Sequence, residues 1–94
     1  MPLSTLHIPH SEAARIIKRL TNHWKHKMDI IQQDNISIIP FADDVQCRLI
    51  AEPTQIIAEL TTNSHEQLDT FEDVVLRHLN RMAHEEFAVA WQRH

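Results

Sequence analysis

Glycine is absent from this 94-residue chain, and so is tyrosine. Without glycine there is no Gly-rich loop whose bare backbone can cradle a phosphate, so P-loop and Rossmann-type nucleotide sites are not expected. A single cysteine, Cys47, precludes an internal disulfide and points to a reduced, cytoplasmic protein. No run approaches the roughly 18 apolar residues of a membrane span. The first residues also lack the basic-then-apolar pattern of a secretory signal, so no membrane association is expected. Positive charge is scarce: 9 Lys+Arg against 13 Asp+Glu leave a net charge of −4. That balance argues against nucleic acid or an anionic membrane as partner. The argument holds at neutral pH and above, because protonating the histidines below about pH 6.5 would reverse the sign.

What the chain has in abundance is histidine, with eight residues. Histidine titrates near neutrality and is the commonest metal ligand. Four of the eight mark the far ends of two amphipathic segments: His23 and His26 in His23-Trp24-Lys25-His26-Lys27, and His78 and His84 in His78-Leu79-Asn80-Arg81-Met82-Ala83-His84. The remainder is ordinary, with 43% hydrophobic and 23% charged residues, as in a globular protein forming one domain over residues 1–94.

Periodicity supplies the architecture. Thr5 to Ile8 reads as a short strand ended by Pro9. From about Ser11 to Lys25 the apolar residues Ala13, Ile16, Ile17, Leu20 and Trp24 recur at steps of three and four, the spacing of one buried helical stripe. His10 or Ser11 is the expected cap. Ile36 to Phe41 reads as a strand, turned at Ala42-Asp43-Asp44, where Asp side chains are expected to cap the backbone. Val45, Cys47, Leu49 and Ala51 then alternate with polar residues. After the Glu52-Pro53-Thr54 turn, Ile56, Ala58 and Leu60 alternate again. Ser64-x-x-Gln67 is a capping box, opening a second helix to about Met82 or Ala83 with stripe Leu68, Phe71, Val75, Leu79 and Met82. A closing strand, Glu86 to Gln92, turns Phe87, Val89 and Trp91 inward. One-sided strands with one-sided helices imply an α+β two-layer sandwich in the order β-α-β-β-β-α-β. Its sheet is mainly antiparallel, of four to five strands, with both helices on one face.

A faint internal echo runs through the chain. Moving Ile16-Ile17 by 58 positions lands on Val74-Val75, and His26 lands on His84. The two helix ends are therefore expected to occupy equivalent places, side by side.

Ala13, Arg15, Leu20, His23, His26 and Lys27 in the first helix, with Val74-Val75, His78-Leu79, Arg81, Ala83, Glu85 or Glu86 and Trp91 in the second half, form a distinctive set. By these residues the chain resembles a bacterial family known as domain of unknown function 2218. The likeness spans nearly the whole chain, and His-aromatic-x-His-Lys and His-Leu-x-Arg-x-Ala are its specific part. Met82, where the pattern has an aromatic, and Asp43-Asp44, where it has a glycine, depart from it. The resemblance implies an association with flavin-dependent siderophore-interacting reductases, hence with iron or siderophore metabolism. It implies no particular reaction.

The candidate site follows from helical geometry. His23 shares a face with Ile16 and Leu20, and His78 with Phe71, Val74, Val75 and Met82, so both are expected half-buried between helix and sheet. Each is either a packed ring with one hydrogen bond or a member of a paired site. His23 and His26, three apart, and His78 are the candidate metal ligands. Iron or zinc is the metal such a set would take, with a carboxylate completing an iron site. Lys27, Arg81, His84 and Glu85 are the candidate ligand-binding residues. Arg81 leads them, because a guanidinium binds carboxylates through two parallel bonds; an ion pair with Glu85, Glu86 or Asp29 is the alternative. His84 can also face the partial negative charge of its helix end. His84-Glu85 is not a zinc-protease motif, since Ala88 stands where the second histidine would be. Cys47, on an apolar face with Val45 and Leu49, reads as packing rather than as a nucleophile.

On this reading Ile39, Ile57, Ala88 and Ala90 face away from the helices, and a second copy or a flavoprotein would cover them. Two functions stay open. One is an accessory binding protein of iron or siderophore metabolism. The other is a small metal-binding protein or enzyme built on His23, His26 and His78.

Overall fold

The computed structural model describes residues 2–94. Its elements are β1 (Leu3–Pro9), α1 (Ala13–Trp24), β2 (Ile31–Gln33), β3 (Ile36–Ala42), β4 (Val45–Glu52), β5 (Gln55–Thr61), α2 (His65–Ala83) and β6 (Gln92–Arg93). The strands form one antiparallel sheet in the order β2-β3-β4-β5-β1-β6. The α+β sandwich expected from the sequence is thus the fold, with six strands rather than four or five.

The alternations locate the core. Leu6 and Ile8 of β1, Val45, Cys47 and Leu49 of β4, and Ile56, Ala58 and Leu60 of β5 are all buried on one face of the sheet. The stripe of α1 (Ala13, Ile16, Ile17, Leu20, Trp24) and Leu68, Val75 and Leu79 of α2 close over that face as a single cluster. Each fully buried leucine or isoleucine contributes roughly 1.5–3 kcal/mol over its exposed state, so this layer contact is what holds the helices down.

Several local features differ from expectation, each for a physical reason. The unforeseen strand β2 is a three-residue edge, all of it exposed, and therefore carries no apolar alternation. It pairs with β3 through a two-residue loop, Asp34-Asn35, with Asp34 at φ 56°. Ile39, expected to face away from the helices, lies fully in the core. Its strand is apolar on both faces, and the misleading residue is Ser37. Ser37 is buried at 4% exposure, and Gln32 donates to its hydroxyl at 3.4 Å. Pro40 lies beyond the end of β2, where no neighbour needs its missing N–H. A bulge between Pro40 and Ala42 then resets the register before the turn.

The helix caps are variants of those expected. Ser64 accepts from the Gln67 amide at 3.2 Å, but the Gln67 side chain reaches back to the amide of Asn63 rather than Ser64. Gln67 also donates to Asp44, whose carboxylate is thereby turned to α2 rather than to its own turn. At α1 the cap position is Glu12, with no side-chain cap bond, so neither His10 nor Ser11 caps the helix; the Glu12 amide donates to the His10 imidazole at 3.0 Å just ahead of it. Phe87, Val89 and Trp91 are half-buried and Ala88 and Ala90 exposed, as expected of the closing segment. The ladder itself covers only Gln92 and Arg93, paired with β1. Alternation there records which side chains touch the core, not backbone pairing.

Candidate functional site

The side chains that carry chemistry meet where the end of α1 crosses α2. Trp24, the last residue of the α1 stripe, is buried, and its indole meets Phe41 of β3 edge-on at 5.0 Å. Phe41 in turn stacks at 5.0 Å on Phe71 of α2. Against the other side of Trp24 lies the His78 ring, 4.8 Å away, and His78 stands 5.8 Å from the ring of His23. The apolar wall of Trp24 thus sets two imidazoles side by side from positions 55 residues apart in the chain.

The tautomer of His78 follows from its partner. Its Nδ1 lies 2.6 Å from the carbonyl of Val74, one turn back on the helix. A carbonyl only accepts, so Nδ1 carries the proton and the lone pair of the neutral ring is at Nε2. A backbone carbonyl orienting one ring nitrogen so that the other is free to bind is the second-shell arrangement of ligating histidines. His78 is half-buried as expected, whereas His23 is exposed, on the rim rather than beneath it.

Arg81 is one turn beyond His78. Together with Arg77, Asn80, Glu86 and His78 it lines an open cavity of about 360 Å³. Arg77 is tied to Asp73 at 2.9 Å. Asn80 accepts from the Phe87 amide at 3.1 Å, which holds the segment after α2 against the helix. Among the described residues Arg81 has no carboxylate within ion-pair distance, so the expected pairing with Glu85, Glu86 or Asp29 is not made. Its neighbour Arg19 donates to the carbonyl of Met82 at 3.1 Å, satisfying one of the last acceptors of α2.

The helix ends themselves do not meet. Contacts of α1 with α2 run in opposite senses: His10 with Glu85, Arg19 with Met82, His23 with His78. The helices are antiparallel across their interface, and the equivalence that the echo implied is absent. His84 ends α2 in the left-handed conformation, φ 58°, ψ 36°, its amide bonded to the carbonyls of Arg81 and Asn80. Glu85 accepts from His10 at 2.9 Å, at the start of α1. His26 and Lys27 lie exposed just beyond the end of α1. Of the seven residues singled out, His23 and His78 are thus in ring contact and Arg81 shares a cavity with His78. His26, Lys27, His84 and Glu85 lie outside that group. No three His, Cys, Asp or Glu side chains among the described residues are grouped closely enough to hold a metal ion.

Sequence reasoning missed Trp24 as the wall against His78, and Arg77 and Asn80 in the cavity; the helical spacing of Arg77 from Arg81, by four, was the available sign, and Asn80, one residue away, had none. It also saw in His10 no more than a candidate cap. That side chain is 17% exposed, with both nitrogens engaged and its ring edge-on to Phe87 at 6.0 Å. Cys47 is buried, and burial, aided by the charge of Glu59, pushes its thiol up to about 12. It is a packing residue, as its alternation implied.

No described helix is long and apolar enough to cross a membrane. The family model for an uncharacterised protein conserved in bacteria, domain of unknown function 2218, matches residues 5–92. The fold and size are those of PA4090 from Pseudomonas aeruginosa, solved by NMR. It is 35% identical with a TM-score of 0.84, over 98% of this chain and 96% of that one. No curated protein matches the chain. With the match running through both histidine-bearing helices and all but the outermost residues, this chain belongs to the bacterial family of domain of unknown function 2218.

Proposed function

We propose that this chain is a small cytoplasmic binding protein without catalysis of its own, receiving an anionic small molecule between α1 and the last third of α2. The observation that carries this reading is a single juxtaposition. A His78 ring oriented by Val74 keeps Nε2 open beside His23, and shares its cavity with an Arg81 guanidinium that has no carboxylate partner among the described residues. An unpaired guanidinium on a concave surface is suited to a planar oxyanion, above all a carboxylate. The exposed His23 ring adds a donor, and the lone pair at His78 Nε2 accepts from a ligand hydroxyl or binds a metal that the ligand carries. Binding is favoured over catalysis because no nucleophile, base and orienting group come together. Cys47 is sealed in the core, and the Ser4 hydroxyl is spent on Glu72 at 2.6 Å.

The iron or siderophore setting comes from the family resemblance, and it makes a polycarboxylate iron chelate the ligand class to try. Calorimetric titration with citrate and with ferric citrate is the test. Binding is expected to weaken about tenfold or more in Arg81→Ala, the loss that a charge-assisted hydrogen bond entails, and severalfold in His78→Ala. Silence with both forms of citrate sinks the proposal. The same setting names a flavin-dependent siderophore reductase as the partner to test, by co-sedimentation of the two purified proteins.

A metal-binding or enzymatic role is the second reading, favoured by the ring contact of His23 and His78 and by the carbonyl that orients His78. Titrating the metal-stripped protein with Zn(II) and Fe(II) alone separates the two. Micromolar binding abolished by His23→Ala but untouched by Arg81→Ala supports this second reading over the first.

A further inference from the structure

The face of the sheet opposite the helices carries five isoleucines. By register Ile31 sits beside Ile38, and Ile36, Ile50 and Ile57 form an unbroken cross-strand row. Ile31 is 58% exposed, the one large hydrophobic residue so exposed among those described, and the other four are half-buried by their neighbours alone. The row next to them, running Ile38, Arg48, Glu59, holds the only charges at the centre of this face, paired with each other at 3.1 Å.

We propose that this face is covered by a second copy of the chain, with the two-fold axis parallel to β4 and β5 and midway between them. The register decides both occupant and axis. Turning the sheet over about that axis sets β4 of one copy on β5 of the other, row on row. Arg48 then meets the second copy's Glu59, and Ile50 meets its Ile57. Further along, Gln46 meets its Thr61 and Glu52 meets its Gln55. At these four pairs, astride the axis, each residue meets opposite charge or like polarity, and the contact is closed and self-complementary. An axis across the strands sets each strand on its own copy instead, with Arg48 on Arg48, on an isoleucine or, centred on the Ile50 row, on Glu52 with Glu59 left facing Gln55. A face that matches itself in charge and in apolar rows along one axis is addressed to itself. Beside the axis, a hollow of about 310 Å³ lined by Ile31, Ile36, Ile38 and Arg48 receives the second copy's β1, which carries Thr5 and His7 on this face.

Size sets the expected strength. The four long strands, about 4.8 Å apart and rising about 3.3 Å per residue, make a patch of roughly 450 Å² in projection. Two copies therefore bury an area near the lower limit of specific interfaces, roughly 1,000 Å². Such a dimer dissociates on dilution.

Sedimentation equilibrium from low micromolar to millimolar concentration is the test, with circular dichroism to show that each variant is folded. A concentration-dependent dimer is expected, and Ile57→Glu is expected to leave a folded monomer. Arg48→Glu and Glu59→Arg are each expected to weaken the dimer, since each sets like charges across the axis. Mixed together, these two variants are expected to associate with one another, because glutamates of one then face arginines of the other. A wild-type monomer throughout that range overturns the proposal. So does a dimer untouched by Ile57→Glu, or a mixture of the two charge variants that associates no better than either alone.

Discussion

His84 and Asp34 both hold a backbone conformation that most chains give to glycine. Among the described residues they are the two with positive φ, at 58° and 56°, in a chain without any glycine. Asparagine and aspartate tolerate the left-handed region better than other residues, so Asp34 is the milder case. His84, exposed and capping α2 through its backbone amide alone, carries a Cβ that the conformation disfavours. His84→Gly is therefore expected to stabilise the protein by about 1 kcal/mol, the cost of a left-handed L-residue less the entropy that glycine adds to the unfolded chain. The check is a rise in the urea midpoint with unchanged slope. At this scale the sequence was partly legible. Cys47 was read from its alternation with Val45 and Leu49, whereas His10 was not. Nothing in His10-Ser11-Glu12 announces that one ring nitrogen will accept from the Glu12 amide while the other reaches Glu85, 75 residues away.

Between elements, the ends of the chain are fastened by a cluster no spacing could reveal. Arg93 of β6 binds Glu72 of α2 through two nitrogens, at 2.9 and 3.1 Å, and also pairs with Asp69. The buried Ser4 of β1 donates to the same Glu72. Burial works to raise the Glu72 carboxyl, but the hydrogen bonds and charge of Arg93 and the bond from Ser4 prevail and hold it below its usual range. The same carboxylates raise the Arg93 guanidinium further above its ordinary value. A carboxylate lowered by folding contributes stability that is present above its unfolded pKa and lost as pH falls through its folded one. Denaturant midpoints measured from neutral to acid pH are expected to fall less steeply in Glu72→Gln, which starts lower at neutrality. The start of α2 offers a simpler case. Ser64→Ala removes the acceptor for the Gln67 amide and is expected to cost about 1 kcal/mol, read as a lower thermal midpoint.

At the scale of the whole molecule, one cluster joins four strands to both helices, with no second core among the described residues. Unfolding is expected to be a single transition, in which far-ultraviolet circular dichroism and tryptophan fluorescence give coincident curves in urea. Trp24, buried at the end of α1, and Trp91, half-buried in the segment after α2, report on different elements packed into that cluster. Noncoincident curves would show that the segment after α2 opens by itself. The same cluster explains why the candidate site lies where it does. The α1 stripe must lie on the sheet, so its last residue, Trp24, presses on Phe41. His78, on the neighbouring face of α2, is then left against the indole.

Apolar period by itself determined the two layers, both helices, β4 and β5, the capped start of α2 and most of the core, because burial acts on each side chain separately. It also marked His23, His78 and Arg81, since helical spacing sets which residues share a face. Only the tertiary structure decided that the helices run antiparallel, which brings His23 to His78 and sends His84 and Glu85 to the start of α1. Only it turned Ile39 inward, through a buried serine whose hydroxyl found a partner in Gln32. Direction of packing and satisfaction of polar groups depend on pairs of residues distant in the chain, and a one-dimensional pattern holds no record of which pairs will meet.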